Sequence, residues 1–159
     1  MLNYHLVILK KYYLDKILDG SKRVELRLTK TAVPPFGCSA AGDILVLKES
    51  SGPVCAVAQV SAVKQVSNLT PVKIAQLKTQ YNHLICGADA YWQFKSDSQF
   101  AVLLWLKNVK SIAPVRIYKK DWRAWVVLKK PYDYGLIDIL ASSGNIIKQA
   151  DRHNINQKA

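Results

Sequence analysis

Ile17-Leu18-Asp19-Gly20-Ser21-Lys22-Arg23-Val24-Glu25-Leu26-Arg27 joins two hydrophobic periods within one short stretch. Upstream of the glycine, Tyr13, Leu14, Ile17 and Leu18 recur at the spacing of an apolar helical stripe. Gly20 suits the left-handed position that ends a helix, because it carries no Cβ to clash. From Lys22 the period becomes two, with Val24, Leu26 and Leu28 on one face and Arg23, Glu25, Arg27 and Thr29 on the other. A helix, a tight corner and a strand are expected. Lys22 sits at the corner, beside a carboxylate flanked by two guanidiniums.

Charged side chains on the polar face of a half-buried strand are ordinarily solvated, and Glu25 then does no more than offset Arg23 and Arg27. A lysine becomes a base only when its pKa falls towards neutral, through burial or nearby cations. Arg23 and Arg27 push Lys22 that way, and Glu25 opposes them. Two outcomes stay open: a reactive amine with a carboxylate partner, or a static ion-pair cluster that holds an anion. The planar fork of Arg27 suits bidentate capture of phosphate or of a substrate carbonyl. Tyr13 lies on the helix stripe leading to the corner, so its hydroxyl reaches towards the same cleft, although a core ring with its tip in water is the commoner role.

Around this corner the chain reads as a mixed, mostly antiparallel layout. His5 to Leu9 is a short strand, Lys11 to Asp19 the helix, Lys22 to Thr29 the second strand, and Thr31 to Ala41 a loop broken by Pro34, Pro35 and Gly37. Ile44 to Lys48 and Val54 to Val66 read as a hairpin around Ser50-Ser51-Gly52-Pro53. Thr70 followed by Pro71 is a cap and first-turn proline, and Ile74, Leu77 and Tyr81 continue that helix on one face. A shorter helix follows at Ala88 to Phe94. Its Tyr91-Trp92 pair is a candidate wall for a base-sized pocket, with a plain core role the more frequent one. Phe100 to Val109 is the strongest buried strand, with further strands at Val115 to Tyr118 and Ala124 to Leu128. Strands at both ends of central helices argue against a doubly wound sheet. The fold class is therefore α+β, a small mixed, mainly antiparallel barrel with helices packed at its mouth. Residues 1–130 form the domain, and 131–159 a polar C-terminal extension, partly ordered around Ile137 to Leu140 and frayed from about Gln149.

The 159 residues carry 23 Lys and Arg against 11 Asp and Glu, a net charge of +12. Such an excess favours polyanions, nucleic acid first and an acidic membrane surface or acidic protein second. Residues 107–130 hold eight basic side chains and a single acid, Asp121, together with Trp122 and Trp125. Lys119, Lys120, Arg123 and Trp122 make this a secondary basic patch with a stacking surface. The longest apolar run, Phe100 to Leu106, is far too short to cross a bilayer, and no secretory leader is evident, so a cytoplasmic protein without a membrane partner is expected. Cys38, Cys55 and Cys86 are far apart, as are His5, His83 and His153. Neither a metal site, another cofactor nor a Ser-His-Asp arrangement follows from their spacing.

Gly-x-Lys-x-x-Glu-x-Arg after a short helix, followed by Gly42-Asp43-Ile44-Leu45 opening a later strand, resembles the ASCH domain family of the PUA-like superfamily. The resemblance covers residues 4–113. It implies a PUA-like barrel and, for the Glu25 form of the motif, RNA binding or RNA processing. Some ASCH-like proteins resemble ribonucleases, and a compact subgroup removes acyl groups from modified cytidine. That subgroup pairs the motif lysine with a threonine three positions later and a glutamate in the second helix. Here Lys22 matches, Glu25 stands at the threonine position, and Thr70 to Tyr81 contains no acid. Three function classes follow. The first is an RNA or nucleotide-binding module with Lys22, Arg23, Arg27, Tyr13 and Trp92 at the cleft. The second is a metal-independent hydrolase with Lys22 as base and Glu25 as proton partner. The third is a basic adaptor for an acidic protein.

Overall fold

The computed structural model describes residues 2–128 together with Tyr134 and Leu136. The extension expected over 131–159 thus lies, apart from those two residues, outside the described residues, and so do its expected elements. Six strands form one sheet: β1 (Tyr4–Leu9), β2 (Val24–Thr29), β3 (Ile44–Glu49), β4 (Val54–Val66), β5 (Phe100–Val115) and β6 (Trp125–Leu128). Among the described residues three helices accompany them: α1 (Lys11–Leu18), α2 (Pro71–Ile85) and α3 (Asp89–Phe94). The strand order is β2-β5-β4-β3-β1-β6, with β1 and β3 parallel and every other neighbouring pair antiparallel. The sheet curls into a half-barrel whose two edges are β2 and β6.

Each apolar face has a cover. Val7 and Leu9 of β1, Leu45 and Leu47 of β3, Ala56, Ala58 and Val60 of β4, and Val102 and Leu104 of β5 line the concave interior. Leu14 and Ile17 of α1 close it at one end. On the convex side, Val24, Leu26 and Leu28 of β2 pack with Ala101 and Leu103 of β5 under Ile74, Leu77 and Ile85 of α2 and Trp92 of α3. Both faces of β2 are therefore covered, which decides the fate of its charged residues. Helix α2 starts as its sequence requires: Thr70 Oγ1 accepts the Lys73 amide at 3.2 Å and Pro71 occupies the first turn. It ends on Cys86 in the left-handed conformation, φ 58°.

Two expectations are corrected. The strand expected to start at Lys22 begins at Val24, because Lys22 and Arg23 are spent on the corner. Val115 to Tyr118 is not a separate strand; β5 runs on to Val115, and Arg116 to Lys120 has no regular structure. The continuation of β5 was hidden because residues 107–114 are largely exposed and held by ladder bonds to β4 rather than by burial.

Candidate functional site

The corner is built by the end of α1. Gly20 takes φ +85°, its amide donates to Ile17 O at 3.2 Å, and the Lys22 amide donates to Lys16 O at 3.0 Å. The chain thereby turns back against the C-terminus of α2. There the Arg23 amide donates to Leu84 O at 2.8 Å, and Lys22 Nζ donates to Ile85 O at 2.8 Å and to Val24 O at 2.8 Å. The last carbonyls of a helix have no partner within it and carry its negative dipole end. Lys22 is thus an internal cap of α2, only 3 % exposed. Burial lowers its pKa, with Glu25 opposing the shift.

Glu25 and Arg27 point into the concave interior, opposite Leu104 and Val102 of β5. Glu25 is 5 % exposed; its Oε1 accepts Arg27 Nε at 2.9 Å, and its Oε2 lies 3.4 Å from Lys22 Nζ as an ion-pair contact. Oε2 makes no hydrogen bond. Arg27 Nη2 donates to Ile8 O at 3.0 Å, and its guanidinium lies 5.2 Å from the Trp125 ring centre. Arg27 on one sheet edge therefore bridges to β1 and β6 at the other, spanning the seam of the half-barrel.

The polar line continues inwards. Trp125 Nε1 donates to His5 Nδ1 at 3.0 Å, so the remaining ring proton is on Nε2, which lies 2.8 Å from Asp43 Oδ2 and donates to it. Asp43 also accepts the Asn3 amide on Oδ1 at 3.1 Å and the Ala40 amide on Oδ2 at 3.0 Å. His5 is fully buried and Asp43 1 % exposed. A continuous line of side chains, Lys22, Glu25, Arg27, Trp125, His5 and Asp43, thus links the two stretches of sequence that carry the motif. The sequence marks Trp125 only as part of the basic segment's stacking surface and Asp43 only as part of the Gly42-Asp43 motif, and assigns His5 no role. The structure buries Trp125, 5 % exposed, so it offers no stacking face. The available signal was a histidine at an inward-facing position of an otherwise apolar strand.

Compared by sequence, the chain matches no family model and no curated protein. Compared by structure, it is similar to the ASCH protein of Zymomonas mobilis, with a TM-score of 0.66 at 14% identity over 85% of this chain and 94% of that one. Two point variants of that protein superpose equally, one at TM-score 0.65 and 16% identity over 86% and 95% of the chains, the other at 0.66 and 15% over 85% and 96%. This chain has the ASCH fold. The likeness is one of backbone architecture, since so few residues are shared.

Within the ASCH fold of this chain the sequence-derived residues fall into three places. Lys22, Glu25 and Arg27 form the buried cluster, and Tyr13 covers it, its partly exposed ring 5.2 Å from Lys22 Nζ and its hydroxyl accepting the Ala88 amide at 3.3 Å. Arg23 is exposed and borders a shallow groove at the end of α1, lined by Leu18, Leu106 and Val109 and also by the carboxylate-bearing Asp19. Trp92 stands apart: it is 4 % exposed in the α2–α3 core, with Nε1 donating to Asn82 Oδ1 at 3.1 Å. Its neighbour Tyr91 comes closer to the cluster, the hydroxyl donating to Leu26 O at 3.4 Å and its pKa raised by burial and then by Glu25. Lys119, Lys120, Trp122 and Arg123 lie together on the loop between β5 and β6. Among the described residues no helix is long and apolar enough to cross a membrane. Among the same residues no group of three or more His, Cys, Asp and Glu side chains is placed to hold a metal ion.

The lowered pKa of Lys22 has a signature in stability. Below its folded pKa the amine is charged in both states and burial is penalised in full. Between the folded pKa and the ordinary value of 10.5 the unfolded chain binds more protons, so stability gains with rising pH. Urea titrations from neutral pH to about pH 10.5 should show this gain in the wild type relative to a Lys22→Met variant, in which it is absent. Parallel pH profiles for the two proteins would contradict the assignment.

Proposed function

We propose that this protein is an RNA-binding module whose contact site is the helix-to-strand corner. The observation that carries this reading is the groove beside the corner, in which the exposed cation of Arg23 borders the apolar surface of Leu18, Leu106 and Val109 on a chain of net charge +12. A base has an apolar face and a phosphate an anionic edge, and the groove offers both kinds of contact. Lys22 and Arg27 are committed to internal partners, so direct phosphate contact falls to Arg23. Glu25 Oε2, buried without a hydrogen bond, is an acceptor in reserve behind Lys22.

Arg23 is the clean handle, because its amide and carbonyl hold the corner while its side chain is free in water. Binding of a mixed-sequence oligoribonucleotide should weaken steeply with salt. In Arg23→Ala it should be weaker at every salt concentration, with the log–log salt slope reduced by about 0.7 for one lost phosphate contact. Equal affinity and slope in the two proteins would sink this placement of the site.

A second reading, metal-independent hydrolysis of RNA or of an acyl-modified nucleoside, draws on one observation, the lowered pKa of Lys22. Against it, Nζ already donates to two carbonyls and is shut from solvent. Turnover retained in Arg23→Ala and lost in a folded Lys22→Met variant would favour it over binding alone.

A further inference from the structure

Among the described residues beyond the corner, exposed charge and exposed aromatic surface come together on the loop from Arg116 to Ala124, between β5 and β6. Trp122 is 99 % exposed and Tyr118 79 %. A large ring left wholly in water forgoes the burial that ordinarily places tryptophan in a core or an interface. Single exposed rings are unremarkable on a surface. Here two are set on one short loop with Arg116, Lys119, Lys120 and Arg123, against one acid.

That acid organises the loop. Asp121 Oδ1 accepts the amide of Arg123 at 3.0 Å, a side-chain-to-backbone turn that encloses Trp122 between its two ends. The same carboxylate accepts Lys119 Nζ at 2.7 Å and Arg123 Nε at 3.1 Å, with Arg123 Nη2 on Oδ2 at 3.0 Å. These donors hold its pKa far below the usual carboxylate range. The loop is also tied to the barrel: Ala124 O accepts the Ile8 amide at 2.9 Å, and the next residue is the buried Trp125 under Arg27. Lys120 Nζ lies 5.5 Å from the Tyr118 ring centre. Burial lowers the pKa of Lys48, and the charges of Lys119 and Arg116 nearby add to the shift, so cations of the loop and of β3 stand close together. Crowded cations raise the local attraction for a polyanion.

We propose that this loop is a stacking platform for single-stranded RNA, with bases on Trp122 and Tyr118 and phosphates on Arg116, Lys120 and Arg123, while Lys119, its side chain 7 % exposed, stays on Asp121. The proposal rests on the RNA reading above and adds a second contact surface to the corner. Flat aromatic faces alternating with cations fit a strand of unpaired bases, whose sugar-phosphate spacing repeats the same alternation. An acidic peptide would engage the cations and leave the two rings without a partner.

The test is titration of the full chain with oligouridylate, following indole fluorescence and affinity at low salt. Expected are quenching in the wild type and a five- to hundredfold (roughly) weaker affinity without that quench in Trp122→Ala. Trp122→Phe should keep most of the affinity and lose the quench, and Tyr118→Ala should weaken binding as well. An unchanged affinity in Trp122→Ala overturns the proposal, as does duplex RNA binding as tightly as the single strand. Competition by polyglutamate equal to that by oligouridylate would make the loop an acidic-protein surface instead. Absence of any binding also overturns it. If Arg23→Ala weakens binding and Trp122→Ala does not, the platform alone falls. The opposite pattern removes the corner and leaves the platform.

Discussion

Lys22→Met should lower the stability of the fold by roughly 3–5 kcal/mol, the cost typical of breaking a buried ion pair from one side. Methionine nearly keeps the volume, so the loss is not one of packing. It comes from Glu25, left buried with one fewer compensating cation, and from Ile85 O and Val24 O, left without their donor. The end of α2 also loses the positive charge that faces its dipole. Urea unfolding at pH 7 should show a lower midpoint at unchanged m. Adding Glu25→Gln should recover part of the loss, since it removes the uncompensated charge. A change within 0.5 kcal/mol, as expected of a surface lysine, would contradict the buried cap.

Asp43→Ala should cost roughly 3 kcal/mol or more, by leaving three donors unpaired at about 1–3 kcal/mol each. Those donors are the amides of Asn3 and Ala40 and His5 Nε2, and the last has no route to water in a fully buried ring. Asp43→Asn should cost less, because its remaining oxygen can still serve His5 and Ala40 while the Asn3 amide loses its acceptor. The comparison is made by thermal or urea unfolding of the two variants. Equal, small effects would mean that Asp43 serves only a surface turn.

Much of this fold is legible in the sequence where signals are local. Gly20 marks the helix stop, Thr70-Pro71 marks a helix start, and Ser50 to Pro53 marks a hairpin, each through backbone chemistry within a few residues. The charged face of β2 is legible as alternation but not as burial. Glu25 and Arg27 look solvated until the sheet curls, because a period of two says which residues share a face and not what covers that face. Lys22 is harder still: one of its two acceptors, Ile85 O, lies 63 residues away. Trp92 follows the same logic in reverse. Its place in a short helix is readable, while its turn towards Asn82 and the α2 core depends on how α3 docks. The basic loop is read from composition alone, but the Asp121 turn that exposes Trp122 requires a side-chain geometry that composition does not contain.

The measurement that tests the RNA reading most directly is a nuclear magnetic resonance titration of isotope-labelled protein with an unstructured oligoribonucleotide at low salt. Amide shifts should concentrate at Asp19 to Arg23 and Leu106 to Val109, together with the indole N–H of Trp122, and should fade as salt is added. The absence of shifts, or shifts confined to the outer face of α2 around Val72 to Gln80, would contradict it.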